Sequence, residues 1–167
     1  MGRLLRLLFL GLVGIFSTAC VEVDPLNYDK MIHLDVEDLS EEGMKKAYLR
    51  VLPSLSKIVK QPHDMQELID NESNYFVIAN NIRYEICIQN KHSGGDCWVN
   101  AALAFFEIVN KQLVNTPYRF YAFYSDNDFS GMFLTEHEFA EAVKGIKQKS
   151  SQPYILVNEP PYYGRAH

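Results

Sequence analysis

The residue of this chain whose type and position are best suited to chemistry is Cys97. It follows Asp96 at the predicted start of a helix over residues 96–113. The dipole at a helix N-terminus favours a thiolate over a thiol, and the thiolate is the nucleophile of cysteine hydrolases. With His137 as general base, Cys97 would attack an acyl group and form a covalent intermediate. A Cys97-dependent hydrolase is therefore one hypothesis for the function.

The string Gly-Asp-Cys-Trp at residues 95–98 resembles the catalytic segments of two kinds of cysteine peptidase. The Cys-Trp pair is similar to papain-like enzymes, and the Asp-Cys start is similar to peptidoglycan peptidases of bacterial cell walls. Papain-like enzymes carry a glutamine six residues before the cysteine, where this chain has Lys91. The cell-wall enzymes draw their histidine from a strand after the helix, whereas His137 falls at the start of the next predicted helix. The resemblance implies a hydrolase of cell-wall peptides or acyl groups.

Residues 1–19 have the pattern of a secretion signal. Arg3 and Arg6 give a positive start, residues 7–16 form an apolar run, and small residues precede a cleavage site after Ala19. The apolar run is short for a membrane span, and an uncleaved single-span anchor is the alternative. Cleavage would make Cys20 the first residue of the mature chain.

The sequence Phe-Ser-Thr-Ala-Cys at residues 16–20 resembles the lipobox of bacterial lipoproteins. The resemblance implies a diacylglycerol on the Cys20 sulfur, a fatty-acylated amino terminus such as a palmitate, and hence a membrane anchor. Ser17 stands where lipoboxes usually carry an aliphatic residue. In such lipoproteins the residue after the lipidated cysteine directs the protein to one of the two membranes, and Val21 at this position implies an outer-membrane location facing the periplasm. Secretion into the periplasm without a lipid is the alternative.

The chain has three cysteines, and in an oxidising compartment an odd number leaves one without a disulfide partner in the same chain. Lipidation of Cys20 would leave Cys87 and Cys97 to pair with each other. We therefore predict a disulfide between them, as the structural alternative to a catalytic Cys97. A bond that closes so short a loop stabilises a fold by about 2–3 kcal/mol in the chain-entropy model.

The charge of the chain limits its partners. The signal contains two of the 16 basic residues and no acid, so the mature chain has 14 basic and 21 acidic residues and a formal charge of −7. Nucleic acid is disfavoured as a partner by this acidity. A basic protein would be attracted by the same field.

Residues 126–131, Asp-Asn-Asp-Phe-Ser-Gly, resemble the first half of an EF-hand calcium loop. Asp126, Asp128 and Ser130 would supply oxygen ligands at alternate positions, with glycine at the bend. The twelfth position holds His137 in place of the bidentate glutamate, and an aromatic strand precedes the loop. A tight polar turn is the other interpretation. We expect no other metal site and no cofactor.

The helix over residues 96–113 is the element around which the chain must fold. Its polar side chains Asn100, Glu107 and Lys111 fall in one narrow arc of the helical wheel. The rest of the wheel is mostly apolar, with Trp98, Ala101, Ala102, Phe105, Phe106, Ile108, Val109 and Leu113. A helix so widely apolar needs cover from a sheet and from other helices.

Two further helical regions are predicted. An apolar stripe over residues 44–59 indicates a helix with Ser40 as N-cap and a kink, or a junction between two helices, at Pro53. Thr135 and Glu138 form a capping box that opens a helix reaching about residue 147.

Several segments are predicted to be strands. Residues 75–79 and 82–89 form a hairpin that turns at Asn80-Asn81, because asparagine tolerates left-handed backbone conformations. The aromatic strand over residues 118–124 can pack on both faces, which predicts a position well inside the sheet. The remaining strands are expected at residues 65–69, 132–134 and 154–157.

These elements predict an α+β fold, with an antiparallel or mixed sheet of four to six strands, a buried central helix and flanking helices. We expect residues 20–38 to be a lipid-anchored tether. Residues 39–167 would form a single globular domain.

Tyrosines and neighbouring aromatic residues are the candidate contacts for a partner. Tyr162 and Tyr163 lie in a Pro- and Tyr-rich tail, and Tyr124 and Phe129 flank the polar turn. Tyrosine is enriched at protein interfaces, although these rings could equally pack on the domain. The main functional hypothesis is a non-enzymatic envelope lipoprotein that binds a periplasmic protein, such as an inhibitor or immunity protein against a toxin or cell-wall hydrolase. The alternatives are the Cys97 hydrolase and a structural lipoprotein without a discrete ligand.

Overall fold

The computed structural model describes residues 25–124 and 129–156. The predicted signal, the lipidation site Cys20 and the tail with Tyr162 and Tyr163 lie outside these residues. None of the helices in the described ranges has the length and hydrophobicity of a membrane span.

Two antiparallel sheets of three strands each flank a long helix, which confirms the α+β class. The six strands are divided between two sheets, whereas the sequence predicted one. The strands are β1 Ile32–His33, β2 Met65–Ile69, β3 Tyr75–Ala79, β4 Ile82–Cys87, β5 Tyr118–Phe123 and β6 Ser130–Thr135. The helices are α1 Val36–Asp38, α2 Met44–Leu55, α3 Gly94–Lys111 and α4 Glu136–Gly145. The strand orders are β1-β6-β5 and β2-β3-β4.

Helix α3 is the predicted central helix, and it begins two residues before the expected start. Ser93 is the N-cap, and Asp96 is its capping-box partner. The Asp96 carboxylate accepts hydrogen bonds from the Ser93 backbone N–H and hydroxyl, both at 2.9 Å. The apolar residues predicted to face the core are buried, except that Trp98 is 40% exposed. The side of α3 that carries Trp98 is therefore open to solvent near the start of the helix.

The sheet formed by β1, β6 and β5 has a core on each face. On one face Phe120 stacks on Phe106 of α3 with ring centroids 4.9 Å apart. On the other face Tyr121 stacks on Phe139 of α4 at 4.3 Å. Successive residues of β5 point to opposite faces, so α3 and α4 lie on opposite sides of this sheet.

The predicted hairpin joins β3 to β4. Asn80 and Asn81 have φ values of 49° and 62°, which are the left-handed conformations of a two-residue turn. A β-bulge interrupts the ladder further along, because Phe76 pairs with Glu85 but Tyr75 pairs with Cys87. Ile86 is the extra residue of the bulge. Because of it, Cys87 lies on the core side of the sheet with Tyr75.

The described part of the predicted tether, residues 25–38, belongs to the fold, which corrects that expectation. Ile32 and His33 form strand β1 and pair with β6. Leu34 is fully buried, and the Asp35 side chain accepts the N-terminal N–H groups of α1. A two-residue strand is too short to show an alternating pattern, so no local pattern predicted it.

Helix α2, which corresponds to the helix predicted over residues 44–59, differs from the prediction at both ends. Ser40 is not its N-cap, because it is buried in a wide turn, Leu39–Gly43, where Glu42 has a φ of 65°. The cap comes from another element: Glu67 of β2 accepts the Lys45 N–H at 3.0 Å. The predicted kink or helix junction at Pro53 is absent from the described residues, since Pro53 lies in the last turn of α2.

The predicted helix after β6 is confirmed, and the last strand is not. The Thr135 and Glu138 capping box opens α4, which ends at Gly145. The expected strand over residues 154–157 is reduced, in its described part, to a single bridge between Tyr154 and Ala122.

Candidate functional site

The structure places Cys87 and Cys97 in a disulfide, with their Cα atoms 4.8 Å apart. The β-bulge at Ile86 turns Cys87 towards α3, and Cys97 lies in the first turns of that helix. The Cys97 residue is 4% exposed. A sulfur in a disulfide is not a thiolate, so Cys97 has no free nucleophile in this state.

The polar side chains near the disulfide are bonded to the chain itself. The His92 Nδ1 accepts the Ile88 N–H at 3.1 Å, and the Asn100 amide donates to the Ile86 carbonyl at 3.3 Å. The bonds from Ser93 hold the pKa of Asp96 below its ordinary value. These groups stabilise the connection from β4 to α3, which is the connection that the disulfide also closes.

His137 is not brought to Cys97. It is exposed in the first turn of α4, and α4 lies across the β1-β6-β5 sheet from α3. A hydrolase that used these two residues would need reduction of the disulfide and a large movement of α4.

The predicted calcium ligands are also separated. Ser130 is buried at the start of β6, paired with Phe123 and His33, while Asp126 and Asp128 lie outside the described residues. Gly131 is in a strand instead of at a bend, and a Cβ there would overlap the Phe120 ring. Within residues 25–124 and 129–156, no three His, Cys, Asp or Glu side chains are grouped to hold a metal ion.

Of the predicted partner contacts that are described, Phe129 is a core residue. It is 3% exposed, and its ring lies 5.4 Å from that of Phe106. Tyr124 is half-buried with a φ of 56°, and its carbonyl accepts the Tyr154 hydroxyl at 2.7 Å. Neither ring forms an exposed aromatic patch, because Phe129 packs in the core on the α3 side of the sheet and Tyr124 packs against the core on the α4 side.

A groove of about 570 Å³ lies beside α3. Its floor is a face of α3 that includes Leu103 and Glu107. One wall is β4. The other wall is formed by β5 together with Ile155 and Leu156, the last residues that the structure describes. The groove therefore separates the outer strands of the two sheets, and its lining mixes apolar, amide and charged side chains.

The wall formed by β5 has no free strand edge along its length. The Asn110 amide donates to the Phe120 carbonyl at 2.9 Å, and the Phe120 N–H donates to Asn110 Oδ1 at 2.8 Å. Ala122 exchanges two backbone bonds with Tyr154, each of 2.9 Å. The Tyr118 N–H is bonded to Thr116. Each residue of β5 that faces the groove edge is thus already paired.

The wall formed by β4 is different. It is the last strand of its sheet, and the Ile86 carbonyl receives the Asn100 amide. Among the described residues, no strand pairs with the outer edge of β4. An open strand edge beside a partly apolar floor is the geometry that binds an extended peptide.

The charged groups of the groove are involved in local contacts. Lys91 contacts the Glu85 carboxylate at 2.7 Å and lowers its pKa. The Arg119 guanidinium donates to the Leu113, Thr116 and Tyr118 carbonyls, which follow the end of α3. These residues therefore position the walls and are not arranged as an acid and base pair.

A smaller pocket of about 290 Å³ lies between α2 and the start of β2. Two of its lining residues are hydrogen-bonded: the Tyr48 hydroxyl donates to the His63 carbonyl at 2.7 Å, and the His63 N–H donates to the Gln112 amide oxygen at 2.7 Å. Burial raises the pKa of Tyr48. This network joins α2, β2 and the end of α3, so its role is structural.

Sequence reasoning missed the groove because its parts are distant along the chain. Asn100 was assigned to the polar arc of the helix, but Asn110 and Arg119 gave no local pattern. Comparison of the chain with protein-family models, curated proteins and solved structures found no match.

Proposed function

We propose that this chain is a lipoprotein, anchored at Cys20 in the outer membrane and facing the periplasm, that binds another protein without catalysing a reaction. An inhibitor or immunity protein against a toxin or cell-wall hydrolase is its most specific form. The signal and lipobox patterns support the location, and the pairing of Cys87 with Cys97 is consistent with an oxidising compartment.

The groove beside α3 is the observation that carries the binding role. Its floor offers the half-buried Leu103, its rim offers Ile155 with 55% exposure, and its β4 wall ends in an open strand edge. Peptide-binding sites of this kind combine backbone hydrogen bonds to the edge with pockets for alternate side chains. A protein partner would insert an extended segment there.

Site-specific photocrosslinking in intact cells tests the proposal. A photoreactive residue would replace Tyr84 in the groove or, as the control, Leu68 on the far strand of the same sheet, which is 42% exposed. We expect one envelope protein to be crosslinked from position 84 and not from position 68.

The crosslinked protein would then be purified and its affinity measured for two matched variants. We expect Leu103→Arg to weaken binding by about 2 kcal/mol or more, as for a central interface residue, and Leu68→Arg to leave it unchanged. Equal affinity of both variants, or no discrete adduct from any groove position, would argue against the groove as the partner site.

A further inference from the structure

The turn between β3 and β4 determines which backbone groups β4 presents at its open edge. Ala79 and Ile82 are paired on either side of the two-residue turn, and such a flanking pair is hydrogen-bonded. Bonded and non-bonded pairs then alternate along an antiparallel ladder, so Tyr84 bonds β3 while Arg83 and Glu85 direct their backbone groups away from it. Each of these two residues therefore offers one N–H donor and one C=O acceptor to an added strand.

The two walls of the groove differ in how these edge groups are satisfied. On β5, the Asn110 amide occupies both backbone groups of Phe120. On β4, the nearest side-chain bond is on the Ile86 carbonyl, and no strand or side chain of the described residues bonds the outward groups of Arg83 and Glu85. An added strand can therefore bond the β4 wall at these two residues.

A strand that pairs antiparallel at this edge would place one side chain over the groove floor. Tyr84 lies on the α3 side of its sheet, as does its β3 partner Val77, which is fully buried. The residue of the added strand opposite Tyr84 would point the same way, towards Leu103 and Ala104 of α3. Leu103 is half-buried, and an apolar side chain would cover it. This central position therefore favours an apolar residue.

The two flanking positions of the added strand would lie on the other face, beside charges of opposite sign. The Arg83 guanidinium lies 3.6 Å from the centroid of the Phe76 ring, and it has no carboxylate partner among the described residues. Lys91 contacts Glu85 through Oε2 at 2.7 Å, and an exposed carboxylate can accept another donor on its second oxygen. Opposite charges directly across two strands stabilise their pairing, and like charges weaken it. An acidic residue therefore suits the position opposite Arg83, and a basic residue the position opposite Glu85.

We infer that the partner inserts an antiparallel strand with a basic, an apolar and an acidic residue in chain order, opposite Glu85, Tyr84 and Arg83. This inference rests on the proposed function, because it specifies the segment that the groove beside α3 would bind. A segment with the two charges exchanged would meet a like charge at both flanking positions. Residues 83–85 of β4, Arg-Tyr-Glu, themselves have the inferred pattern, so the test must also detect a second copy of the chain at this edge.

The test titrates two peptides into the purified mature chain of full length. Their sequences are Thr-Lys-Val-Glu-Thr and, as the matched control, Thr-Glu-Val-Lys-Thr, with acetylated and amidated ends that carry no charge. Hydrogen exchange measured by NMR follows the N–H groups of Arg83 and Glu85, and the amides of β2 are the control. We expect the first peptide to protect both N–H groups and to bind about tenfold more tightly than the second, because two cross-strand charge pairs change sign between them.

An exchange of the charges on the chain gives the reciprocal test. In the double variant Arg83→Glu, Glu85→Arg, we expect the second peptide to bind about tenfold more tightly than the first. The two peptides have the same composition, and so do the two chains. A reversed preference therefore depends on the order of the charges and not on net charge.

Several results would overturn the inference. Equal affinity of the native chain for both peptides, no binding of either, or equal protection of β2 would each do so. Protection of the Arg83 and Glu85 N–H groups before any peptide is added would also overturn it. Such protection would assign the edge to a second copy if it increased with protein concentration, and to the chain itself if it did not.

The proposed function fails or stands on a separate result, the crosslinking in cells from position 84. A partner adduct from that position, together with equal affinity for the two peptides, would keep the groove as the partner site and reject the inferred strand pattern. Preference for the first peptide without any envelope adduct would reject the proposed function instead.

Discussion

Asn110 and Phe120 exchange two hydrogen bonds, as paired residues of neighbouring strands do. The donor-acceptor distances are 2.9 Å to the Phe120 carbonyl and 2.8 Å from its N–H. One helix side chain thus replaces a strand at the edge of β5. Because both backbone groups of Phe120 are taken by Asn110, the bridge between Tyr154 and Ala122 is not extended to Leu156.

Replacement of Asn110 by leucine should therefore destabilise the fold. Both backbone groups of Phe120 would lose their partners next to a ring that is 2% exposed. Two unsatisfied groups cost about 2–4 kcal/mol together. Urea unfolding at pH 7 would measure the loss, with Asn115→Leu in the exposed loop after α3 as the control. Equal free energies of unfolding for the two variants would contradict the role assigned to Asn110.

The disulfide gives a second prediction. We expect the double variant Cys87→Ala, Cys97→Ala to lose about 2–3 kcal/mol of stability, since the unfolded chain is no longer constrained by the short loop. In the native mature chain, intact mass should show two added alkyl groups only after reduction. Rapid alkylation of Cys97 without reductant would instead favour the hydrolase, and Cys97→Ser would then be assayed for lost cell-wall peptide hydrolysis.

Lipidation at Cys20 is tested by changing the residue that would carry the lipid. Cys20→Ala should move the protein from the membrane fraction to the soluble periplasmic fraction, because the anchor is no longer attached. The mass of the membrane-extracted native chain should correspond to an acylated Cys20 at its start. A soluble native chain with an unmodified Cys20 would exclude the lipoprotein assignment.

The capping box of α4 predicts a pH dependence. The Thr135 N–H donates to the Glu138 carboxylate at 2.8 Å and lowers the pKa of Glu138 below its ordinary value of 4.5. The folded state therefore holds this proton less tightly than the unfolded state, so the contribution is complete above pH 4.5 and is lost as pH falls through the lowered pKa.

The variant Glu138→Gln should accordingly lose less stability than the native chain between pH 7 and pH 3. Thermal unfolding at the two pH values measures the difference. Glu141→Gln removes a charge from an exposed position of the same helix and should keep the native pH dependence. If Glu141→Gln reduced the loss of stability between pH 7 and pH 3 as much as Glu138→Gln does, the change in net charge and not the loss of the cap would explain the effect.

The parts of the fold that the sequence predicted are those with local causes. Asn80-Asn81 and the Thr135-Glu138 box each form their structure within a few residues, and both are confirmed. The aromatic strand at residues 118–124 was correctly predicted to pack on both faces, but its place inside the sheet was wrong. Cover on two faces and the number of neighbouring strands are independent, and β5 has one full strand neighbour.

The parts that were missed depend on contacts between distant segments. The bulge at Ile86 changes which way Cys87 points, and a strictly alternating strand would have turned that cysteine away from α3. The cap that Glu67 gives to α2 and the bonds of Asn110 are side-chain contacts with no repeating pattern. The candidate site is made of such contacts, which is why the sequence identified Cys97 and not the groove.

The pairing of β1 with β6 sets an order for folding. Ile32 pairs with Gly131 of β6, about a hundred residues later in the chain, and the Leu34 N–H donates to the Phe129 carbonyl. Because the chain is synthesised from its N-terminus, β1 is made long before its partner strand β6. β1 can therefore join the sheet only after β6 exists, and until then the edge of β6 is exposed to other strands.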